Sequence, residues 1–366
     1  MKNDDILCAN PLPENKKYLK EIRKTITRVI DSGSYILGSE VKKFEQNLSK
    51  YLGNTYSIGV NSGTDALILS LRALDIKKND EVIIPSHTAT ATASAVVSVG
   101  ASPVFVDIDE NSFNIDPIDL QKKISARTKA IIMVHLYGNP CEVSKIVEIA
   151  GRKKIHIIED CAQSLGATYN LKPTGSFGIL SCFSFYPTKN LGAIGDAGAI
   201  STNDKELFQR IKMLRQYGWN EDRVSIIESN QSRLDEIQAA ILNVKMKYLD
   251  KTLLERNEIA KIYSDNLGSL KLEIPDVSSN TRHSFHLYVI RIKNREKVIK
   301  KLNNENIYPG IHYKVPIHLN PAFMKYSHSN LPVTESIANE ILSLPLYPGM
   351  KRKEVFKVIK GIKNAS

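Results

Sequence analysis

From about residue 57 the chain alternates short, unbroken apolar runs with stretches of helical period. "YSIGV", "EVIIP", "PVFVDI", "AIIMVHL" and "IHIIED" read as strands. Between them, "NSGTDALILSLRAL", "ATASAVVSVG", "DPIDLQKKI" and "VSKIVEIAGRKK" read as helices. Strands that are continuously apolar, and not alternating, belong to a parallel sheet buried on both faces. The pattern predicts an α/β architecture with helices on both sides of a mostly parallel sheet. "CFSF" and "GAIST" extend the strand series, and a helical tract is expected over roughly 204 to 262. After it come "SFHLYVIRI" as a strand, a helix, "PIHL" and a last helix, the pattern of a smaller α+β domain. The expected division is 1–250 for a large domain and 251–366 for a small one.

At 366 residues the chain exceeds the size at which single cores stop growing, which agrees with two domains. A net charge of +11 raises nucleic acid or an anionic surface as partners, but the basic residues are scattered among acids. No nucleic-acid-binding motif appears, so neither nucleic acid nor membrane is expected as a partner. Cys8, Cys141, Cys161 and Cys182 form no CxxC pair, which removes the zinc-ribbon and dithiol readings and leaves free thiols. "MKNDDILCANPLPENKK" has no apolar h-region, and no run of about 18 apolar residues occurs. A cytoplasmic protein is the expectation.

Ligands of open α/β sheets bind at the carboxyl ends of the strands. "NSGTDA" follows one such end: Gly63 permits a tight turn, and Thr64 and Asp65 place free N–H groups at a helix start. That is an anion site suited to phosphate, or an ordinary N-cap by Ser62 or Thr64. The GxGxxG and Walker patterns are absent, which disfavours a nicotinamide dehydrogenase and ATP. Asp160 ends a buried strand, where a carboxylate needs a partner; it either caps the next helix or pairs with a cation on a ligand. Gln163 is three residues on. In "SFYPTKNLGAIGDAG", Lys189 stands 29 residues after Asp160 and five after Ser184. A buried lysine has a depressed pKa and becomes a nucleophile. A phosphate turn, a carboxylate, a serine and a buried lysine are together what pyridoxal phosphate requires: a Schiff-base amine, a partner for the ring nitrogen and donors for the phosphate.

With these residues in hand the chain resembles the DegT/DnrJ/EryC1/StrS aminotransferases, nucleotide-sugar transaminases of the fold type I, aspartate-aminotransferase class. The resemblance runs from "SGSYILGSEVKKFE" through "NSGTDAL", "PVFVDIDENSFNID", "VHLYGNP", "IEDCAQSLGA", "SFYPTKNLGAIGDAGAI" and "SRLDEIQAAIL" to "GIHYKVPIHLNPAF". It implies that Lys189 holds the cofactor, Asp160 the ring nitrogen and Gln163 the ring hydroxyl, with Gly63, Thr64 and Ser184 at the phosphate. It also implies a homodimer with shared active sites, in which the segment after "YGW" reaches the neighbour's phosphate.

Two departures stand out. Where many relatives carry an aromatic residue after "P-x-x-T" to pack on the ring, this chain has Ala89. His87 is then the candidate to stack there, or is a polar loop residue. Where relatives read "G-x-N-S-R", the chain reads "SNQSR", which leaves Asn230 and Gln231 both as candidates for the neighbour's phosphate. The resemblance further implies L-glutamate as amino donor, pyridoxamine phosphate as the aminated cofactor, and a nucleotide-linked keto-6-deoxyhexose as acceptor. Some relatives have a histidine at the lysine position and dehydrate instead, so Lys189 points to amino transfer. Tyr35, His312 and Tyr313 are the candidate sugar contacts. "PSHTATAT", "RQYGW" and "IHYKVPIHL" look most like the branch acting on dTDP-3-keto-6-deoxyhexoses, which yields a 3-amino sugar; a 4-keto acceptor is the alternative. A non-catalytic sensor or scaffold on the same fold would be expected to lack Lys189 or Asp160, and both are present.

Overall fold

The computed structural model describes residues 4–270, 272–328 and 330–365. Its centre is a seven-stranded sheet. In chain order the strands are β1 (Tyr56–Val60), β2 (Glu81–Pro85), β3 (Ser102–Val106), β4 (Thr128–Val134), β5 (His156–Asp160), β6 (Leu180–Ser184) and β7 (Gly198–Thr202). Their spatial order is β1-β7-β6-β5-β4-β2-β3. Only β7 runs against its neighbours, pairing antiparallel with β1 and β6; the other ladders are parallel.

The unbroken apolar runs follow from burial on both faces. Val82 and Ile84 of β2, with Ala130, Ile132 and Val134 of β4, enter one core, which they share with the helix α1 (Gly63–Ala73). Ile83, Ile131 and Met133 point the other way, into a core with Val143 and Ile146. The helix α2 (Thr90–Ser98) packs on the same side as α1.

The helical tract expected over 204–262 is three helices and an irregular excursion. Lys205–Leu214 is helical, and then come α3 (Glu236–Met246) and α4 (Leu249–Leu267). Residues 215–235 loop out and return through isolated bridges, Gln216 to Gln231 and Trp219 to Ser225. Gly218 makes this turn possible: its φ is +70°, and a Cβ there would lie 1.6 Å from the Ile227 carbonyl oxygen. The helical period of the flanking residues hides a break that depends on this close approach.

The C-terminal part holds a two-stranded antiparallel pair, β8 (Tyr288–Arg291) and β9 (Ile341–Leu344), the second unexpected from sequence. "PIHL" contributes a single 3₁₀ turn, Ile317–Leu319. Alternation along the pair joins two cores: Val289 and Ile341 enter the core of the large sheet, whereas Tyr288, Ile290, Leu342 and Leu344 face a separate core with Ile259, Val298 and Val358. Ile6 also lies in that second core, because Ile6–Leu7 pairs in parallel with Ile307–Tyr308. The helix α4 spans both: Leu253 packs with the large part and Ile259 with the C-terminal core.

Candidate functional site

The parallel strands end along one edge of the sheet. There they present Gly63–Asp65 after β1, His87 after β2, Tyr137 after β4, Asp160 at the end of β5 and Ser184 at the end of β6. This is the edge where an open α/β sheet takes its ligand.

β7 lies between β1 and β6 and brings their ends together, with Gly198 opposite both Val60 and Ser184. Gly63 consequently faces Ser184 so closely that a Cβ would sit 2.7 Å from the serine Cβ. The cradle therefore combines a helix N-terminus, whose first amides have no intrahelical partner, with a serine hydroxyl. One sequence expectation is corrected here. The Asp65 N–H is not free: Ser62, the N-cap of α1, accepts it at 3.1 Å, as a capping serine does for the third helical amide. The Gly63 and Thr64 amides precede that bond. The Asp65 carboxylate accepts from Ser232 Oγ at 2.8 Å, which ties the "SNQSR" segment of the same chain to the start of α1. Asn230 and Gln231 beside it are exposed.

Asp160 is buried, 6% exposed, and has two donors: the Ala162 N–H at 3.1 Å and Thr92 Oγ1 at 3.2 Å. Burial raises its pKa, against the Ala162 amide and the charge of Lys189. Lys189 sits in the turn after β6, its N–H donating to the Tyr186 carbonyl at 2.8 Å. Burial drives the Lys189 pKa down from 10.5 to about 8, with the Asp160 charge opposing. The loop that follows is held from below by Lys245, whose Nζ donates to the Gly192 carbonyl at 2.8 Å and pairs with Glu14 at 3.3 Å.

Above these groups His87, Tyr137, Gln163, His312 and Tyr313 form one network. Gln163 Oε1 accepts the Tyr137 N–H at 2.6 Å, and its Nε2 donates to Tyr313 Oη at 3.1 Å. His87 Nε2 lies 2.6 Å from Tyr137 Oη, and that hydroxyl donates to the His312 carbonyl. His312 Nδ1 is 2.8 Å from Ser343 Oγ. Its pKa falls to about 4, through burial and then the nearby Lys189 charge. His87 and Tyr313 meet edge to face, 6.4 Å between ring centres. Tyr35 stands apart: it is exposed and its hydroxyl donates to the Ile30 carbonyl at 3.0 Å.

Thr92, Tyr137 and Ser232 escaped the sequence reading. Thr92 lies four residues after Thr88, on one helical face of "HTATAT", and Tyr137 occupies the "YG" turn directly after a strand end. Both are signals of position, with nothing in the sequence to say what faces them.

A buried trio, His135, Glu159 and Cys161, has the donor types of a metal site. Two of its three members are already committed. Glu159 accepts from the N–H groups of Gly175, Phe177 and Gly178, each at 2.7 Å, from Ser181 Oγ and from His135 Nε2. His135 Nδ1 accepts the Cys141 N–H.

A family model, the DegT/DnrJ/EryC1/StrS aminotransferase family, matches residues 16–363. The chain is 45% identical over 348 residues to the dTDP-3-amino-3,6-dideoxy-alpha-D-galactopyranose transaminase of Aneurinibacillus thermoaerophilus, covering 95% of this chain and 96% of that one. It is 39% identical over 360 residues to the dTDP-3-amino-3,4,6-trideoxy-alpha-D-glucose transaminase of Streptomyces venezuelae, covering 96% and 95%. Among solved structures it resembles S. venezuelae DesV in complex with a ketimine intermediate, with a TM-score of 0.96, 38% identity and 98% of each chain covered.

Proposed function

The chain belongs to the DegT/DnrJ/EryC1/StrS aminotransferase family and is a pyridoxal-phosphate-dependent sugar aminotransferase, and we propose that it moves the amino group of L-glutamate onto a dTDP-linked 3-keto-6-deoxyhexose. The product is a 3-amino-3,6-dideoxy sugar nucleotide. The observation that carries the reading is the juxtaposition of Lys189, an amine driven towards its neutral form, with Asp160, a buried carboxylate given only two donors. Support for position 3 of the sugar comes from the relative at 45% identity, which is named for a 3-amino-3,6-dideoxy sugar.

The residues fit the cofactor. The cradle of Gly63, Thr64 and Ser184 draws together this closely only because residue 63 has no side chain, and its helix-start amides and hydroxyl suit a phosphate. Asp160 offers its remaining lone pairs to a protonated ring nitrogen, and His87 supplies a buried ring with one unpartnered nitrogen. Bound there, pyridoxal phosphate supplies the electron sink that makes the hydrogen on the reacting carbon acidic. The amine of Lys189, neutral in part near pH 8, then takes and returns that proton. In this reading Gln163 orients the ring hydroxyl, and His312 and Tyr313, the latter bonded to Gln163 and in ring contact with His87, are the candidate sugar contacts.

A second copy completes the site in this reading. Exposed apolar side chains gather around the entry to α3: Ile36 bridges to Asp235, Ile194 bonds Gln238, and Tyr217, Val224 and Ile226 lie on the neighbouring excursion. Such a concentration suits a protein interface. Asn230 and Gln231, exposed on that same excursion, are the two candidates in this reading to reach a partner's phosphate.

The test is incubation of the enzyme with glutamate and, separately, 3-keto and 4-keto dTDP-6-deoxyhexoses, with products identified by NMR. An amine at C3 is expected. An amine formed only at C4 overturns the substrate reading, and a colourless protein inert with added cofactor overturns the whole of it.

A further inference from the structure

Tyr137 has no assigned part in holding the cofactor or the sugar, yet it bonds three of the other four members of the network, His87, Gln163 and His312. It is 2% exposed and its backbone is left-handed, φ 60° and ψ 0°, a conformation that costs a non-glycine residue energy. Its N–H fixes the Gln163 amide, its carbonyl accepts the Leu287 N–H at 3.2 Å, and its hydroxyl stands between His87 and the His312 carbonyl.

Counting protons settles the state of His87. Burial holds the Tyr137 phenol well above its ordinary pKa, so the hydroxyl carries one proton. The His312 carbonyl can only accept, so that proton is directed there. His87 Nε2, 2.6 Å from the same oxygen, must then be the donor. Burial pushes the His87 pKa down to about 4, so the ring is neutral and has no second proton. Its Nδ1 is therefore a bare acceptor, and it is buried with no partner among the described residues.

We propose that Tyr137 is a positioning residue: its hydroxyl fixes His87 as the Nε2–H tautomer and ties that ring to the segment bearing His312 and Tyr313, leaving Nδ1 as an acceptor facing no protein donor. The cofactor-side ring and the sugar-side segment are thus registered through one phenol. The kinetic part of this proposal rests on the sugar aminotransferase reading; the tautomer part does not.

The experiment is ¹⁵N-histidine NMR of the cofactor-free, full-length protein from about pH 6 to about pH 8, where an ordinary histidine titrates. Wild-type His87 is expected to stay neutral with its proton on Nε2 throughout, and Tyr137→Phe to show mixed tautomers. In the cofactor-loaded enzyme, Tyr137→Phe is expected to raise the sugar KM about five-fold, the loss of one neutral hydrogen bond, with kcat changed less than about two-fold. A wild-type His87 protonated on Nδ1 overturns the proposal, whether or not the variant folds. So does a Tyr137→Phe protein whose His87 tautomer is unchanged, or one that loses kcat at constant sugar KM. If no sugar is aminated but the tautomers behave as stated, the substrate reading has failed and the positioning of His87 stands.

Discussion

Glu159 and Asp160 are neighbours on one strand, both buried carboxylates, and the protein treats them in opposite ways. Strand alternation sends Glu159 to one face of the sheet and Asp160 to the other. On its face Glu159 meets five donors, among them three backbone amides and His135, which outweigh its burial and lower its pKa. Asp160 meets two donors, and burial raises its pKa. A carboxylate whose lone pairs are all taken holds structure together; one left short of donors beside a lysine is prepared for a ligand. In the proposed reading the adjacent "ED" of the sequence is thus one structural and one functional group.

Substitution can break this comparison if it is wrong. The largest effect is expected beside Asp160: Lys189→Ala should lower the rate of amine formation by about four orders of magnitude, the upper end of what a positioned proton-transfer group contributes. Product NMR or a coupled assay for the oxoacid measures it, and normal turnover would remove Lys189 from the chemistry. Asp160→Asn should cost turnover about 10²- to 10³-fold, as for loss of a charge that stabilises the reacting state. Its urea midpoint without cofactor should be unchanged or higher, since a buried carboxylate with too few donors has been removed. Glu159→Gln should do the reverse, lowering stability by about 3 kcal/mol because the amide cannot accept from the whole ring of donors. Whatever of it folds should still show the cofactor's visible band. If Glu159→Gln were silent in unfolding and Asp160→Asn strongly destabilising, the assignment of the two carboxylates would have to be exchanged. A smaller effect belongs to the phosphate cradle: Ser184→Ala should weaken retention of the cofactor about ten-fold, the loss of one hydrogen bond to an anion, read by fluorescence titration of the cofactor-free protein.

How much of this was legible beforehand follows the same division. The strands were readable because β2, β4 and β5 are buried on both faces, so their sequence is apolar without alternation. Lys189, Asp160 and Gly63 were legible as candidates because strand ends and glycine turns are local features, and the fold brings them to one edge of the sheet. Gln163 was picked out by its place three residues after Asp160, and resemblance to a family supplied a role for it and the candidates His312 and Tyr313. The break at 215–235 was not readable: it depends on Gly218 passing the Ile227 carbonyl, a contact between residues the helical period alone would have joined. Thr92 and Tyr137 were hidden for a related reason. A buried threonine or tyrosine is ordinary in sequence, and only the fold shows that one faces Asp160 and the other lies between two histidines. At Asp65 the free amide gave way to the alternative weighed beside it, because the capping serine at residue 62 takes that amide.

The smallest effect bears on the cost of keeping the Asp160 side ready, and its sign is opposite to that of Glu159. Lys189 holds its proton less tightly in the folded, cofactor-free protein, about 8, than its ordinary 10.5. Between those values the unfolded chain binds more protons, so stability rises with pH; below about 8 the penalty is fully present, and above 10.5 it is gone. The drop corresponds to at most about 3–4 kcal/mol, and solvent reaching the half-buried Lys189 reduces the expected penalty to about 1 kcal/mol. Cofactor-free Lys189→Ala should therefore be more stable than wild type at pH 7 by about that amount in urea unfolding, with the advantage fading as pH approaches 10.5. Glu159 contributes stability above its ordinary value of 4.5, lost as pH falls through its lowered folded value. The deficit of Glu159→Gln should accordingly narrow towards acid, while the gain of Lys189→Ala narrows towards base. A Lys189→Ala protein less stable than wild type at pH 7 would mean that the lysine is already satisfied by its surroundings, and the contrast between the two faces of β5 would then lie in the carboxylates alone.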